Sequence, residues 1–321
     1  MNQLFENPTS RKTFLQLARV VILSVFALVG LMVSSAFAST GAPVRNITVG
    51  INAFGISSDG KHVWVAHTGS SRIIEVLAST GAIVRNIAVG KNPGGVSSDA
   101  THVWVTDGAN NVTEILASTG VVVRNIAVGK YPDGISSDGK NVWVGNLGSN
   151  SVTEILASTG AVVKTITVGN TPSDVSSDGK HVWVANQFSN SVTEILASTG
   201  VVVRSIAVGK YPLGISSDGK HVWVTNGFSN SVAEILASSG LVVRTITFKI
   251  AGQSRPQGIS SDGTNVWVTN VGANSVSEIF ASTGTVVQSL AVGDRPYGVS
   301  SDGKHVWVTN SNSRNVSEFE A

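Results

Sequence analysis

Seven tryptophans recur about every 40 residues, each inside the same local phrase. The phrase is clearest at residues 214–226, which read GISSDGKHVWVTN. A repeat of this length that is rich in Val, Ile and Thr and interrupted by Gly, Asp and Asn is typical of one four-stranded propeller blade. Seven copies predict an all-β, seven-bladed β-propeller. The tryptophans are Trp64, Trp104, Trp143, Trp183, Trp223, Trp267 and Trp307.

Each repeat contains four extended segments, which in the third copy are residues 134–137, 141–146, 152–156 and 162–168. The first is short and built of small residues, which suits the crowded strand nearest the propeller axis. It carries a serine in every copy, which can line a polar tunnel or be selected for small size alone. These serines are Ser57, Ser97, Ser136, Ser176, Ser216, Ser260 and Ser300.

An acidic residue in the third segment and a basic residue in the fourth stand ten positions apart, as in Glu114 and Arg124. Both are equally far from the centre of their hairpin, so they are expected to be cross-strand neighbours. The basic partner is replaced once, by Gln288 opposite Glu278. We interpret the repeated acids as structural pairs rather than a catalytic ring, each stabilising by about 0.2–1 kcal/mol if exposed.

The two ends of the repeat region are incomplete in complementary ways. Residues 39–49 form a fourth segment without the first three, and residues 316–321 form a third segment without a fourth. Pairing them completes the seventh blade and removes two open sheet edges. The sequence therefore predicts that the last blade is closed by the N-terminal strand, with Glu318 opposite Arg45.

The first 38 residues have the layout of an export signal. Arg11, Lys12 and Arg19 precede an apolar run at residues 20–33, and Ala36-Phe37-Ala38 follows. This order predicts a signal peptide at 1–38 and a propeller at 39–321, exported to the periplasm or the extracellular space. The alternative is an uncleaved membrane anchor. Residues 10–15 also resemble a twin-arginine signal with Lys in one arginine position, so the export route stays open.

Composition limits the partners of the exported chain. Without residues 1–38 the acidic and basic residues are equal in number, and no Lys- or Arg-rich run remains. Nucleic-acid binding is therefore not expected, and membrane contact is expected only if the signal is uncleaved. The chain has no cysteine, so its stability cannot depend on disulfides.

The phrase at residues 223–226, with residues 229–232 and 237–240, resembles the YVTN-type β-propeller repeat with Trp in place of Tyr. More loosely, the chain is similar to the propellers of streptogramin lyases, NHL-repeat proteins and gluconolactonases. That resemblance implies a propeller over residues 39–321 and includes both enzymes and binding proteins. For the lyases it implies a histidine and a magnesium ion at one propeller face.

Candidate metal ligands are few. Five histidines stand two residues before a blade tryptophan, a placement that indicates blade packing. The remaining candidates are Asp133, Asp174 and His67. We assign no metal site and no cofactor from the sequence.

Differences between the repeats concentrate in the loops after the second strand and in the connections between blades. Up-and-down strand order puts both sets on one face, which we name the upper face, while the other face is nearly uniform. Loop sequences change freely where little constrains them, and this explains part of the variation. The alternative is a ligand mouth around an axial opening. Its candidate binding residues are His67, Asp107, Tyr131, Asp133, Tyr211, Arg255, Arg295 and Tyr297.

His67 and Asp107 enter this set because they break a repeat rule. Five blades place Asn after the Trp-Val-small trio, whereas the first two blades carry His67 and Asp107. Asn at this position is expected to hold its own loop through local backbone hydrogen bonds. The sequence as a whole favours a non-catalytic module that binds a small molecule or a protein at the upper face. The alternatives are a metal-assisted lyase or lactonase and, if the signal stays uncleaved, a structural envelope protein.

Overall fold

The computed structural model describes residues 41–248 and 254–321. It contains seven four-stranded antiparallel sheets, which confirms the predicted all-β, seven-bladed propeller. The predicted signal peptide and its cleavage point lie outside the described residues. Within those residues, no helix has the length and apolar character needed to cross a membrane.

Six blades are continuous in sequence. Blade 1 holds β2 (Ala53–Ser58), β3 (His62–His67), β4 (Arg72–Leu77) and β5 (Ile83–Ala88); blade 2 holds β6 (Val96–Ser98), β7 (His102–Asp107), β8 (Asn111–Leu116) and β9 (Val121–Ala127). Blade 3 holds β10 (Pro132–Ser137), β11 (Asn141–Asn146), β12 (Ser151–Leu156) and β13 (Ala161–Thr167); blade 4 holds β14 (Pro172–Ser177), β15 (His181–Asn186), β16 (Ser191–Leu196) and β17 (Val201–Ala207). Blade 5 holds β18 (Pro212–Ser217), β19 (His221–Asn226), β20 (Ser231–Leu236) and β21 (Leu241–Thr247); blade 6 holds β22 (Pro256–Ser261), β23 (Asn265–Asn270), β24 (Ser275–Phe280) and β25 (Thr285–Ala291).

The seventh blade joins both ends of the described chain. It holds β26 (Pro296–Ser301), β27 (His305–Asn310), β28 (Asn315–Glu320) and, as its outermost strand, β1 (Arg45–Thr48). Arg45 pairs with Glu318 in the antiparallel ladder and forms a salt bridge with it. The predicted closure by the N-terminal strand, including its register, is confirmed.

The tryptophans pack between blades. Each is at most 1% exposed and belongs to an apolar cluster with the second strand of the following blade. Trp64 packs with Val103 and Val105, and Trp307 closes the ring by packing with Val63 and Val65. A buried indole of this size contributes several kcal/mol of hydrophobic stabilisation, so the ring is held by seven similar cores.

A second ring of contacts lies near the axis. The inner serine hydroxyl of each blade accepts the backbone N–H of the second serine in the next blade, at 2.9–3.1 Å. The seventh link joins Ser300 to Ser58. Besides the two roles considered from the sequence, these serines have a third, because each hydroxyl links neighbouring blades by a hydrogen bond.

The predicted cross-strand pairs are present, but they are not exposed. Glu114 faces Arg124 and Glu234 faces Arg244, as the ten-residue offset predicts. Both glutamates are only 1% exposed, while their arginines are about one-third exposed. In five blades the histidine two residues before the tryptophan also lies 3.5–3.9 Å from the glutamate. The stabilisation expected for an exposed pair therefore does not apply here, because loss of the basic partner leaves the charge of the glutamate buried in the blade.

Candidate functional site

The upper face opens into a cavity of about 260 Å³ on the propeller axis, which we name the axial cavity. Its wall includes the residue after the loop proline, or its equivalent, from six blades. These residues are Phe54, Asp133, Ser173, Leu213, Gln257 and Tyr297. In each first strand concerned the ladder register shifts next to this residue. Such a bulge re-aims side chains, and here it sets unlike residues around one opening.

Two carboxyl groups on adjacent blades stand in the cavity wall. Asp174 Oδ1 accepts the backbone N–H of Val175 and its Oδ2 accepts that of Ile215, both at 2.9 Å. Burial raises the pKa of Asp174 to about 7 against these bonds, and the Asp133 charge raises it further. The other six blades have Gly at the position of Asp174. The carboxylate is therefore an addition to the repeat that two N–H groups hold in place.

The Asp133 carboxyl is held less tightly. Burial alone raises the pKa of Asp133 to about 6, and no hydrogen bond from the described residues reaches its oxygens. Gly94 leaves room for this carboxyl, because a Cβ there would lie in tight contact with Asp133 Oδ1, at 3.1 Å. A carboxyl that titrates near neutral pH without a fixed partner is typical of a functional site.

An aromatic pair forms the opposite side of the opening. The rings of Phe54 and Tyr297 lie with centroids 3.7 Å apart and planes tilted by 30°. Burial raises the pKa of Tyr297, and the charge of Asp133 raises it further, while Arg295 opposes both. Asp133 and Arg295, both predicted binding residues, therefore lie within electrostatic range of Tyr297.

The connections above the cavity have unusual backbone geometry. The residue before each loop proline, or its equivalent, has positive φ, in the left-handed region that Gly and Asn tolerate best. Blades 1 and 2 use Asn52 and Asn92 there, but other blades use bulkier residues. Their φ values are 52° at Tyr131, 57° at Thr171, 62° at Tyr211, 49° at Arg255 and 56° at Arg295. A side chain retained at a cost in backbone strain is a candidate for function.

Tyr211 belongs to an aromatic stack that the sequence did not predict. It stacks on Phe228 with ring centroids 4.0 Å apart and meets Phe188 edge-on at 5.7 Å. Phe188 and Phe228 are 60% and 65% exposed, in the loops after the second strands of blades 4 and 5. The stack is an exposed apolar surface on the upper face, next to cavity residues Gln187 and Leu213.

Tyr131 and Tyr211, the two tyrosines that precede a loop proline, give a stability prediction. We expect Tyr131→Asn to raise the free energy of unfolding by about 0.5–1 kcal/mol, because Asn relieves left-handed strain. Tyr211→Asn is expected to give no gain, since loss of the stack with Phe228 costs about 0.5–1.5 kcal/mol. Urea unfolding of both variants measures the difference. Equal stabilisation of the two would show that the stack contributes nothing.

His67 and Asp107, predicted as binding residues, lie away from the cavity wall. Each is buried beneath the glycine that starts a blade connection, His67 under Gly50 and Asp107 under Gly90. Asp107 Oδ1 accepts the N–H groups of Ala109 at 2.8 Å and Asn111 at 3.3 Å. Burial lowers the pKa of His67, opposed by hydrogen bonds with the backbone of Val49 and Gly50. Both residues therefore have local contacts with the scaffold.

The asparagines at the same position make the predicted local bonds and additional ones. Asn146 Nδ2 donates to the backbone carbonyl of Ser151, just after its loop, at 3.3 Å, and also to the hydroxyls of Ser151 and Thr153 on the third strand. A later loop asparagine, such as Asn110, accepts a backbone N–H at its Oδ1, that of Tyr131 at 2.9 Å. The position thus closes its own loop and joins two strands of a blade, while the later asparagine holds the connection to the next blade.

The cavity does not fit the histidine and magnesium ion implied by the lyase resemblance. No histidine lines it, and its wall holds only two carboxyl groups, Asp133 and Asp174. Across residues 41–248 and 254–321 there is no group of three or more His, Cys, Asp or Glu side chains that can hold a metal ion. Arg255, the remaining predicted site residue, is exposed on the connection into blade 6.

Sequence comparison supplies no family. No protein-family model matches the chain, and no curated protein matches it. Solved structures do match. The virginiamycin B lyase from Staphylococcus aureus has a TM-score of 0.74 at 18% identity, covering 86% of this chain and 99% of the lyase. A streptogramin B lyase gives 0.73 at 19%, covering 85% and 96%.

A further similar structure is the hydrazine synthase from Kuenenia stuttgartiensis, with a TM-score of 0.74 at 20% identity, covering 86% of this chain and 97% of that one. At such identities the likeness concerns the fold. The expected similarity to streptogramin lyase propellers is confirmed at that level, and the chain is a seven-bladed propeller of the same architecture.

Proposed function

We propose that the protein is a non-catalytic binding module whose ligand is a small molecule held in the axial cavity of the upper face. The observation that carries the proposal is the make-up of the cavity wall. Six unlike residues from six blades, at equivalent positions of the repeat, meet around one opening. The volume, about 260 Å³, is slightly below the usual range for drug-sized ligands and suits a small one.

The proposal also agrees with the cost of the site. Asp133 and Asp174 hold partly buried carboxyls with no basic residue in the cavity wall, and Arg295 adopts left-handed backbone. Desolvation of an acid and left-handed backbone each lower stability. The repeat is regular elsewhere in the propeller, yet these unfavourable features are present at the cavity, as expected of a binding site.

A pair of blade 6 variants tests the proposal. Gln257→Trp fills the axial cavity, whereas Thr264→Trp adds the same indole to an exposed turn on the opposite face. We screen a small-molecule fragment library by ligand-observed NMR against the parent and both variants. Hits are expected to be lost with Gln257→Trp and kept with Thr264→Trp. Hits that survive in the Gln257→Trp variant would place binding elsewhere and contradict the proposal.

A lyase acting at the same cavity is the second candidate. It is favoured by the likeness to streptogramin B lyases and by two carboxyls whose pKa values suit general acid–base catalysis near neutral pH. One similar structure is a catalytically inactive virginiamycin B lyase with quinupristin. Incubating the present protein with quinupristin and Mg²⁺, followed by mass spectrometry, tests this candidate. Conversion that Asp133→Asn abolishes would replace the binding proposal with the catalytic one.

We also propose that the protein acts outside the cytoplasm, with a mature chain beginning at Ser39. The support is the order of basic, apolar and small residues in positions 1–38. Intact-mass measurement of the protein recovered from the periplasm or the medium gives the N-terminus. A full-length chain recovered in the membrane fraction would favour the anchor.

A further inference from the structure

Building on the proposed function, we infer that the ligand of the axial cavity is an organic ammonium ion. Its charged group binds at Asp133 and Asp174, and its apolar part lies against Phe54 and Tyr297. The chemistry is that of an amine protonated at neutral pH, carried either by a free small molecule or by a lysine side chain of a peptide.

The charge of the cavity selects a cation. Its wall contains two aspartates and no Lys, Arg or His. Arg295 is exposed on the connection above the wall, and its charge acts on Tyr297. Negative charge in a concave site with low-dielectric walls attracts cations and disfavours anions. A carboxylate or phosphate ligand would meet two acids and no base in the cavity.

The two aspartates contribute to cation binding in different ways. Asp174 is fixed by the N–H groups of Val175 and Ile215, so it holds a negative charge at one position without reorganisation. Asp133 lies in the cavity wall and accepts no hydrogen bond from the described residues at its carboxyl oxygens, so these oxygens are available to an N–H donor. Charge-assisted hydrogen bonds from an ammonium group would satisfy the Asp133 carboxylate.

The aromatic pair decides between an organic cation and a metal ion. A metal ion would be coordinated by oxygen atoms and would not be stabilised by the aromatic rings. The described residues contain no cluster of three metal-binding side chains. An organic ammonium ion gains from both parts of the site. Its charge binds at the two aspartates, and its carbon skeleton is removed from water against Phe54 and Tyr297 on the opposite side of the cavity.

The inference carries a pH signature. The titratable groups of the cavity wall are Asp133, Asp174 and Tyr297, and the charges of Arg295 and Tyr211, outside the wall, act on Tyr297. Of these, the two aspartates titrate near neutral pH, with pKa values of about 6 and about 7. Their charged forms bind the cation, so affinity is lost as the pH falls through these values and is regained as it rises. An alkylammonium ion stays protonated throughout, since its pKa is near that of lysine, about 10.4.

Isothermal titration calorimetry with matched probes tests the inference. Benzylammonium is compared with benzyl alcohol, benzoate and Ca²⁺ alone, and Nα-acetyl-lysine amide represents the peptide source. Benzylammonium or the lysine amide is expected to bind at least about tenfold more tightly than benzyl alcohol, benzoate and Ca²⁺. Its affinity should rise between about pH 5 and about pH 8, and binding near pH 6 should release protons into the buffer.

The variants locate the charge. Asp133→Asn is expected to weaken benzylammonium binding about tenfold or more and to reduce the pH dependence. Asp174→Gly restores the residue of the other six blades and should act in the same direction. Asp294→Asn is the control, because Asp294 is an exposed acid of the upper face outside the cavity wall, and its removal should change nothing.

Each contrary result has one meaning. Equal binding of benzyl alcohol or benzoate, unchanged binding in Asp133→Asn, or preferential Ca²⁺ binding would overturn the ammonium inference. The proposed function would survive if the fragments lost with Gln257→Trp are neutral or anionic. Absence of binding by every ammonium probe also overturns the inference. A fragment screen without hits that depend on Gln257 overturns the proposed function itself.

Discussion

A chain that begins at Gly50, and so lacks β1, is expected to lose most of the stability of the propeller. Ile47 and Val49 are both more than nine-tenths buried, and each stabilises the fold by about 1.5–3 kcal/mol. Glu318, fully buried, would lose Arg45, at a cost of about 3 kcal/mol. The sum, about 6 kcal/mol or more, approaches the whole stability of many proteins, about 5–15 kcal/mol. We expect the thermal midpoint to fall by about 12 °C or more.

Two controls separate closure from a general effect of truncation. Glu318→Ala, which keeps β1 in place, is expected to lower the midpoint far less. A synthetic peptide of residues 41–49, added to the truncated chain, should restore much of the loss by pairing with β28. If the truncated chain melts at the temperature of the parent, the closure of blade 7 makes no contribution to stability.

The second large effect is expected at a buried ion pair. In blade 5, Arg244 Nε lies 2.6 Å from Glu234 Oε2, and Glu234 is 1% exposed. Arg244→Met leaves the carboxylate without its main partner, since only His221 remains, at 3.7 Å. We expect a loss of about 3 kcal/mol in urea unfolding at neutral pH, the lower end for buried pairs because Arg244 is one-third exposed.

The pH dependence of this loss has a definite sign. Burial raises the pKa of Glu234, and the charges of Arg244 and His221 oppose that rise, so removing Arg244 raises it further. The folded state then favours the protonated acid. The penalty is absent below the unfolded pKa and grows as the pH rises through the folded pKa. Arg244→Met should therefore approach the parent in stability at acidic pH.

Blade 6 supplies the matched control. There Gln288 Nε2 already donates to Glu278 Oε2, at 2.7 Å, in place of a basic residue. Arg244→Gln copies that arrangement in blade 5 and is expected to cost clearly less than Arg244→Met. If the two substitutions cost the same at neutral pH, a polar partner for the buried glutamate is not what stabilises the blade.

The fold was predictable from sequence because the repeat fixes distances along the chain. The centre of each hairpin determines which residues face each other, so the pairing of Glu114 with Arg124 follows from counting. The missing strands at the two ends of the repeat region require closure of blade 7. Counting residues along the hairpin does not show how deeply the paired acids are buried. The acids sit opposite the tryptophans in the ladder, as Glu114 does opposite Trp104, and are covered by the next blade.

The site was predictable only in part. Comparing repeats finds positions that vary, among them Asp133 and Tyr297, which the structure places in the wall of the axial cavity. It does not give the direction of a side chain, which here depends on a bulge in each first strand. His67 and Asp107 also break the repeat, but they fill space beneath a connection glycine. Asp174 replaces a repeated Gly, and that departure is the sequence signal that identifies the second carboxyl.

The stack of Phe188, Tyr211 and Phe228 escaped sequence reasoning for another reason. Its members come from two loops and one connection, on blades 4 and 5, and no spacing rule joins them. Only the closed ring brings these segments together. A sequence signal does exist, since Phe occupies the same loop position in two adjacent blades, at 188 and 228.

The central claim, that the axial cavity is where this propeller binds its ligand, is tested most directly by a crystal structure with the tightest-binding fragment of the NMR screen. We predict density in the axial cavity, with a polar atom of the fragment within hydrogen-bond distance of Asp133. The contradicting result is density elsewhere, for example in a cavity beside Ala207 and Thr247 or on the uniform lower face, with the axial cavity empty.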